Sequence, residues 1–297
     1  GVYPVKETKF LFSGFRMTFF MPELPEVETI SRQLNGFLAG KKIKSVEIFL
    51  PKIIKAPPAE FKKAVLDAQV KKVWRRAKIL IFELLNGYSI LIHLKLTGQL
   101  IFQKPEIKNQ RLWKYTHLIF NFQDGSRLLF NDLRQFGYVK LVKIEKLAEL
   151  LAKENFGPEP LEKNFTLKVF EKILRQRPRA KIKQFLMDPK NLAGIGNIYS
   201  DEILFVAGVH PSRRVETLKG KETEKIFENS KKILQKAIKL RGTSADTYFD
   251  ARGQEGKFLK ELKVYGKKGE KCVKCRGEIT RIKIGGRSAH FCPRCQK

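Results

Sequence analysis

The sequence contains few cysteines, few acidic residues and no long apolar run, and each shortage excludes a class of protein. Its four cysteines all lie within the last 26 of 297 residues, whereas secreted disulfide scaffolds distribute them through the fold. No apolar segment approaches the roughly 18 residues of a membrane-spanning helix. The aromatic segment Phe10–Met21 is interrupted by Arg16 and lacks a small-residue cleavage site, unlike a signal peptide. We therefore expect a cytoplasmic protein that does not span a membrane.

The shortage of acidic residues points to a polyanionic partner. Asp and Glu number 30 against 60 Lys and Arg, which gives a formal net charge of +30. Self-repulsion of this size opposes compaction, so DNA, RNA or an anionic membrane is the expected partner. A generally lysine-rich surface is the alternative explanation. Hydrophobic residues make up 42% of the chain, enough to form cores in two to three domains.

The first half of the chain has the pattern of one helix followed by short strands. Helical spacing of apolar residues predicts a helix over Glu26–Leu38, ended by Gly40. Hairpin signals stand at Asn86-Gly87 and Asp124-Gly125. Strands this short and regularly spaced indicate a β-sandwich or barrel. The predicted strands are Ile43–Leu50, Val70–Trp74, Ile79–Leu84, Ser89–Leu94, Gln99–Gln103, His117–Phe122, Leu128–Asn131 and Tyr138–Val142.

The second half is predicted to be helical and to end in a small module around the cysteines. The segment Gly157–Pro160 is a helix-incompatible linker. The polar, glycine-containing segment Thr243–Lys257 is typical of a mobile loop, and the tail from Leu262 is expected to form two short hairpins. The predicted helices are Leu167–Arg175, Lys181–Met187, Asn197–Ala207 and Glu222–Leu240.

The cysteines carry the strongest local signal. Cys272-x2-Cys275 and Cys292-x2-Cys295 are separated by 16 residues, a spacing typical of a closed four-thiolate zinc site. No βαβ context supports a redox CxxC. Four thiolates complete the coordination shell, so we interpret His290 as a surface or DNA-facing residue. The basic hairpin Arg281–Arg287 between the two pairs is a candidate phosphate-binding finger.

Two further motifs suggest chemistry at a nucleic acid. Met21 precedes Pro22 and Glu23; removal of Met21 would leave Pro22 as a secondary amine that titrates near pH 8, nucleophilic at neutral pH. Glu23 could then be a general acid or base, although proline and glutamate are also ordinary in a first helical turn. The motif Gly194–Tyr199 opens a helix whose free amides could hold a backbone phosphate, although such a turn is often only a cap.

The sequence resembles the formamidopyrimidine-DNA glycosylases. The resemblance spans residues 21–297, and six motifs occur in the family's order. Pro22-Glu-Leu-Pro-Glu-Val-Glu-Thr29 resembles the family's N-terminal signature, whereas relatives of the endonuclease VIII type open with Pro-Glu-Gly-Pro. The others are Trp74-Arg-Arg-Ala-Lys78, His93-Leu-Lys-Leu-Thr-Gly98, Asp132-Leu-Arg-Gln-Phe-Gly137, Gly157-Pro-Glu-Pro-Leu161 and Gly194-Ile-Gly-Asn-Ile-Tyr199, followed by the zinc finger.

The resemblance implies a role for each matching residue. It makes Pro22 the Schiff-base nucleophile and Glu23 the acid/base, with Lys78 as a third catalytic residue that also binds phosphate and Glu26 in support. It implies that phosphates flanking the lesion are contacted by Lys78, His93, Asn197 and Arg287. It implies that the space of a flipped-out nucleotide is filled by Leu96, where the family most often has Met, Arg134 and Phe136. A core role is the alternative for Leu96 and Phe136.

The resemblance also implies a substrate and a fold. Thr243, Ser244 and Tyr248 would belong to the loop that closes over 8-oxoguanine, which favours oxidised purines. The implied enzyme is a monomeric DNA glycosylase and AP lyase on duplex DNA that contains oxidised bases, located in the bacterial cytoplasm at the nucleoid. The alternatives are an endonuclease VIII-like lyase on oxidised pyrimidines and a non-catalytic zinc protein that binds nucleic acid.

The expected fold is α+β and multidomain, with one structural Zn²⁺ per chain. An N-terminal extension (1–21), a β-sandwich with an N-terminal helix (22–154), a helix–two-turn–helix domain (155–261) and a four-Cys zinc finger (262–297) follow one another. The metal ligands are Cys272, Cys275, Cys292 and Cys295. The extension precedes the expected translation start at Met21.

Overall fold

The computed structural model describes residues 21–106, 113–244 and 247–297, so the predicted extension lies outside the described residues except for Met21. The first element is helix α1 (Leu24–Leu38). It begins two residues earlier than predicted, because Pro25 suits a first helical turn. Its buried stripe, which includes Val27 and Leu34, packs against the core of the β domain. Within the described ranges, no helix combines the length and apolar character needed to cross a membrane.

Eight strands form the predicted β-sandwich. They are β1 (Ile43–Ile48), β2 (Val70–Arg76), β3 (Ile79–Leu84), β4 (Tyr88–His93), β5 (Gly98–Gln103), β6 (Thr116–Phe122), β7 (Arg127–Asp132) and β8 (Tyr138–Lys143). One antiparallel sheet has the order β1-β6-β7-β5, and the other has the order β2-β3-β4-β8. Residues of both sheets share a single apolar core with α1. The sandwich prediction is therefore confirmed.

Two short helices in this half were not predicted. They are α2 (Pro58–Val65), which buries Phe61 and Val65 in the sandwich core, and α3 (Ile144–Lys153), in which only Leu147 is fully buried. Each is short and contributes only one or two fully buried positions over two to three turns.

The helical part contains α4 (Leu167–Arg175), α5 (Ile182–Met187), α6 (Asn197–Ala207) and α7 (Gly220–Lys239). These bounds agree with the predicted helices to within two residues. Helix α6 lies between α5, α7 and the C-terminal module, and most of its residues are buried. Short 3-10 helices lie at Pro51–Ile53, Val215–Thr217 and Phe258–Glu261.

The C-terminal module contains one hairpin, β9 (Thr280–Ile284) and β10 (Arg287–Phe291), where two were predicted. The first cysteine pair is closed by the single bridge between Lys271 and Glu278. The residues between these bridge partners form the turn around the cysteines and leave no length for a ladder.

The described residues of Thr243–Lys257 are irregular but anchored, which differs from the mobile loop that was predicted. A bridge joins Thr243 to Lys257 at the two ends. Tyr248 and Ala251 are buried in the core of the β domain, and the Asp250 carboxylate pairs with Arg241 at 2.8 Å. The burial of these side chains fixes a segment whose composition suggested a solvated loop.

Candidate active site and nucleic-acid interface

The Glu23 carboxylate lies at the N-terminus of α6. Its two oxygens accept hydrogen bonds from the backbone N–H groups of Gly196 (2.7 Å) and Ile198 (2.8 Å). A Cβ at Gly196 would lie 2.3 Å from the Glu23 Cδ, so only glycine permits this approach. The prediction that these amides hold a DNA phosphate is therefore wrong. The helix terminus already binds an anion that belongs to the protein.

Pro22 is buried two residues before α1, next in the chain to Glu23. This part of the chain joins the β lobe (α1 and the sandwich) to the helical lobe (α4–α7 and the C-terminal module). The first turn of α1 is anchored to the helical lobe, because the backbone N–H of Leu24 donates to the carbonyl of Gly194 at 3.0 Å. The Leu24 side chain fills the space over Gly194, where a Cβ would lie 2.6 Å from its Cδ1. Glu23 and Leu24, the two residues after Pro22, are thus both fixed to the segment that starts α6.

Glu26 is a second buried carboxylate in the same place. Its oxygens accept from the Glu23 backbone N–H (2.9 Å), the Tyr199 hydroxyl (2.6 Å) and the Thr243 backbone N–H (2.8 Å). Burial raises the pKa of Glu26, while the Tyr199 hydroxyl and the backbone donors lower it. Tyr199 is the last residue of the Gly194–Tyr199 motif, and the sequence alone indicated no role for its side chain. Its hydroxyl also bonds the Thr243 Oγ1 at 3.0 Å.

Lys78 faces these two carboxylates from the turn between β2 and β3. Its Nζ donates to the Ile195 carbonyl at 3.4 Å. Burial lowers the pKa of Lys78, and the charges of Glu23 and Glu26 oppose that change. Burial likewise raises the pKa of Glu23 to about 7, and the Lys78 charge opposes it. The site therefore combines an amine and a carboxyl whose charged forms are both disfavoured by burial.

His93, at the end of β4, is held as a neutral ring. Burial lowers its pKa to about 3, and the charges of Lys95 and Lys78 lower it further. The ring Nδ1 accepts from the Lys95 backbone N–H at 3.0 Å. The proton therefore resides on Nε2, which makes that nitrogen a hydrogen-bond donor.

The Asp132 carboxylate connects the two loops that carry Leu96, Arg134 and Phe136, the residues predicted to fill the space of a flipped nucleotide. The sequence alone indicated no role for Asp132. Its buried carboxylate accepts from the Thr97 hydroxyl and from the backbone N–H groups of Arg134 (3.2 Å) and Gly137 (2.7 Å). Thr97 directly follows Leu96 in the chain. One carboxylate thus ties the Leu96 loop to the Arg134–Phe136 loop. The sequence offered one signal for this role, because Asp132 is both the last residue of β7 and the first residue of the Asp132–Gly137 motif.

The exposure of Phe136 and Leu96 distinguishes a DNA-contacting role from a role in the core. Phe136 is 54% exposed, so it is no core residue. Its ring centroid lies 4.8 Å from the Arg134 guanidinium, and Leu96 beside them is half-buried. An exposed aromatic ring with a cation over its face is suited to contact bases.

Asn197 and Arg287 lie on the opposite lobe. Asn197 is the first residue of α6, and its Nδ2 donates to the Tyr265 hydroxyl at 3.1 Å. Arg287 is exposed at the start of β10. Its charge lowers the pKa of Lys78, so the two side chains are close enough to interact electrostatically.

The predicted lesion segment is attached to both lobes. Its Thr243 end contacts Glu26 and Tyr199, as described above. The Ser244 hydroxyl donates to the Tyr248 carbonyl at 2.7 Å and accepts from the Gly256 backbone N–H at 2.8 Å. Gln99 of β5 donates to the Thr247 carbonyl at 2.6 Å. Residues 245 and 246 lie outside the described residues.

The four cysteines form a metal site of zinc dimensions. The sulfurs of Cys272, Cys275, Cys292 and Cys295 all lie within 4.8 Å of one another. The Cys272–Cys295 and Cys275–Cys292 separations are 3.9 and 3.4 Å. A tetrahedral ion with Zn–S bonds of about 2.3 Å requires sulfurs about 3.8 Å apart. The donor set and its spacing therefore fit Zn²⁺.

His290 is buried, so the prediction that it faces the surface or DNA is wrong. Its backbone N–H and its Nδ1 approach the Asp201 Oδ2 at 2.8 and 3.2 Å. Asp201 also accepts from the Lys183 Nζ at 2.6 Å, and that amine donates in addition to the Ser288 carbonyl at 2.5 Å. This cluster joins α5 and α6 to β10. The local cysteine spacing gave no indication of it.

Comparison with protein families identifies the same three parts. Residues 21–139 match the formamidopyrimidine-DNA glycosylase N-terminal domain. Residues 156–248 match the H2TH domain of formamidopyrimidine-DNA glycosylase, and residues 269–297 match the zinc finger found in FPG and IleRS.

Individual relatives extend along nearly the whole chain. A formamidopyrimidine-DNA glycosylase from Pelotomaculum thermopropionicum is 42% identical over 278 residues, which cover 93% of this chain and 99% of that protein. The Lactococcus lactis Fpg in complex with abasic-site DNA has a TM-score of 0.86 and 38% identity, with coverage of 93% and 99%. A mutant of that protein with Fapy-dG-containing DNA has a TM-score of 0.86 and 37% identity, with coverage of 93% and 100%.

Proposed function

The chain belongs to the formamidopyrimidine-DNA glycosylase family, and we propose on that basis that it excises oxidised purines from duplex DNA and then cleaves the strand. The observation that supports this proposal is the buried pair of Glu23 and Lys78, with Pro22 directly before Glu23 in the chain. The pair provides a carboxyl with a pKa of about 7 and an amine, and a chain that begins at Pro22 would add an amine nucleophile. This combination suits attack on a sugar carbon followed by proton transfer.

The proposed reaction begins when the secondary amine of Pro22 attacks C1′ of the damaged nucleotide. The C1′–N bond forms as the bond from C1′ to the base breaks; the amine loses its proton and the base leaves with one. The C1′–O4′ bond then breaks and O4′ takes a proton, which opens the sugar ring and leaves an iminium ion at C1′. The iminium ion acidifies the C2′ proton, so β-elimination breaks the C3′–O bond and δ-elimination then breaks the C5′–O bond. Glu23 is the proposed proton donor and acceptor at the sugar, because its burial keeps both protonation states accessible near neutral pH. The product is a one-nucleotide gap flanked by phosphates.

The proposed DNA contacts come from both lobes. The ammonium of Lys78, the Nε2 donor of His93, the amide of Asn197 and the guanidinium of Arg287 would bind phosphates that flank the lesion. Leu96, Arg134 and Phe136 would occupy the space of the flipped nucleotide and offset the unstacking cost of a few kcal/mol. Thr243, Ser244 and Tyr248 would border the extruded base. The zinc ion would hold the hairpin that carries Arg287 and take no chemical part.

The remaining assignments follow from this function. We propose that the enzyme acts on DNA in the cytoplasm, where its thiols stay reduced, and that it acts as a monomer. We also propose domain boundaries between residues 154 and 155 and between 261 and 262.

A panel of duplexes tests the proposed substrate class. Each duplex carries a single 8-oxoguanine, formamidopyrimidine, oxidised pyrimidine or abasic site, and single-turnover excision is measured with protein that begins at Pro22. We expect faster excision of the two oxidised purines than of the oxidised pyrimidine. The reverse order would indicate an endonuclease VIII-like lyase. Binding without any cleavage would indicate a non-catalytic DNA-binding protein.

Phe136→Ala should slow the excision of paired 8-oxoguanine by about tenfold to a hundredfold, because one aromatic stacking contact contributes roughly 1–3 kcal/mol. Cleavage of a pre-formed abasic site should change by less than about threefold, since no base must be unstacked. Phe49→Ala is the matched control, because Phe49 is similarly exposed and lies outside the motif loops. Equal losses on both substrates would contradict the gap-filling role.

Raising the pH from 5 to 7.5 should destabilise the wild-type protein relative to Glu23→Gln. The folded pKa of Glu23 is about 7 against an ordinary 4.5, so the folded state keeps its proton while the unfolded state releases it. As the pH rises from about 4.5 to about 7, the free energy of unfolding therefore decreases by up to about 3 kcal/mol in total, and at higher pH this contribution is constant. Urea unfolding at several pH values measures the difference. Parallel pH profiles for the two proteins would contradict a raised pKa.

A further inference from the structure

The linker between the lobes contains a buried carboxylate that no catalytic role has yet used. Glu159, 4% exposed, stands between two prolines in the Gly157–Pro160 segment. The linker is fixed to the helical lobe, because Gly157 donates to the Pro189 carbonyl at 2.9 Å and Pro158 accepts from Ala193 at 3.0 Å. The backbone around Glu159 is therefore fixed to the helical lobe.

The Glu159 carboxylate reaches the turn between β2 and β3 on the other lobe. Its Oε1 accepts from the Ala77 backbone N–H at 2.7 Å and from the Arg76 guanidinium at 3.0 Å. Its Oε2 accepts from the Arg75 guanidinium. Arg75 is held in turn by Glu28 of α1 at 2.5 Å. Three donors from one turn thus converge on a single carboxylate.

This turn needs external support to keep its shape. Ala77 has a φ of +52°, in the left-handed region that costs an L-residue roughly 1–2 kcal/mol. The hydrogen bond from its N–H to Glu159 opposes relaxation of that conformation. The next residue is Lys78, whose Nζ reaches the Ile195 carbonyl in the helical lobe. Any relaxation of the turn would move Lys78 relative to Glu23.

We propose that Glu159 is a positioning residue for Lys78. The carboxylate fixes the left-handed turn against the helical lobe, and the turn presents the ammonium to the cleft. This inference rests on the proposed catalytic role of Lys78. It assigns to the linker a part in the reaction beyond joining two domains.

A double-mutant cycle tests the inference. Glu159→Gln keeps an oxygen for the Ala77 N–H but weakens the charge-assisted bonds to the arginines. With protein that begins at Pro22, we expect this change to slow borohydride trapping on abasic-site DNA by about tenfold to a hundredfold. In a Lys78→Ala background the same change should cost less than about threefold, because coupled residues are non-additive. Glu162→Gln is the matched control, since Glu162 also bonds Arg76 at 3.0 Å and accepts from the Glu159 backbone N–H at 3.2 Å but does not touch Ala77.

The outcomes separate this inference from the function on which it rests. A loss of equal size in both backgrounds, with the melting temperature lowered in parallel, would overturn the positioning role and make Glu159 a purely structural residue. Full activity of Lys78→Ala would instead contradict the role proposed for Lys78, and the inference would fall with it. If Glu159→Gln does not fold, Arg76→Gln replaces it in the cycle. Arg76 is a partly exposed donor to the same carboxylate. A smaller loss in the Lys78→Ala background would support the positioning role, and an equal loss in both backgrounds would overturn it.

Discussion

Only protein that begins at Pro22 should form a covalent adduct with 8-oxoguanine DNA under borohydride. Within a chain, the proline nitrogen is a tertiary amide without a proton or a basic lone pair. As a chain terminus it is a secondary amine that titrates near pH 8, of which roughly a tenth is uncharged at pH 7. We expect retention of residues 1–21 to lower trapping by at least about a thousandfold, because it removes the nucleophile and not a supporting contact.

Two versions of the protein and one variant make this measurement decisive. One version begins at Pro22 and the other retains residues 1–21, with both N-termini verified by mass spectrometry. Lys78→Ala in the shorter version is the control, because Lys78 is the buried amine that faces Glu23 and Glu26. Equal trapping by both versions, lost in Lys78→Ala, would make Lys78 the nucleophile and contradict the assignment of Pro22.

The arrangement of the elements could largely be predicted from periodicity and spacing. The strand over residues 79–84 and the helices over 167–175 and 197–207 have the predicted bounds. The helix over 167–175 has a pronounced apolar period, and the other two are short apolar segments buried at almost every position. The zinc ligands followed from CxxC spacing alone, because a knuckle is a local structure. Helices α2 and α3 are short and were not predicted, although the helical spacing of apolar residues in α3 was an available signal.

The contacts across the lobes could not be predicted, because they join residues far apart in the chain. The Gly194–Tyr199 helix start was predicted to bind a phosphate, and the partner found is Glu23, more than 170 residues earlier. His290 was predicted to be exposed, and it is buried against Asp201. The partner was set by tertiary packing, which no local pattern contains.

The zinc module depends on its metal because its own apolar core is small. Its fully buried core cluster contains Val264, Ile279 and two of the cysteines, with Phe205 contributed by α6. Two adjacent carboxylates of α6 hold the module from outside. Asp201 binds the backbone N–H of His290, and Glu202 accepts from the backbone N–H groups of the Lys263–Tyr265 segment at 2.9–3.0 Å. These bonds dock a folded module but cannot replace zinc–thiolate bonds, which contribute about 10–16 kcal/mol in isolated zinc fingers.

Cys275→Ser, or removal of zinc by a chelator, should lower the affinity for lesion DNA by at least about a hundredfold. Loss of the metal releases the β9–β10 hairpin, so the proposed phosphate contact of Arg287 is lost with the order of the module. The sandwich core contains no residue of the module, so unfolding of the β domain should change little. Val273→Ser is the matched control, because Val273 is 57% exposed in the same knuckle and should keep one zinc per chain. Undiminished DNA binding by zinc-free protein would contradict a metal-dependent finger and leave the contacts of Asp201 and Glu202 as sufficient support.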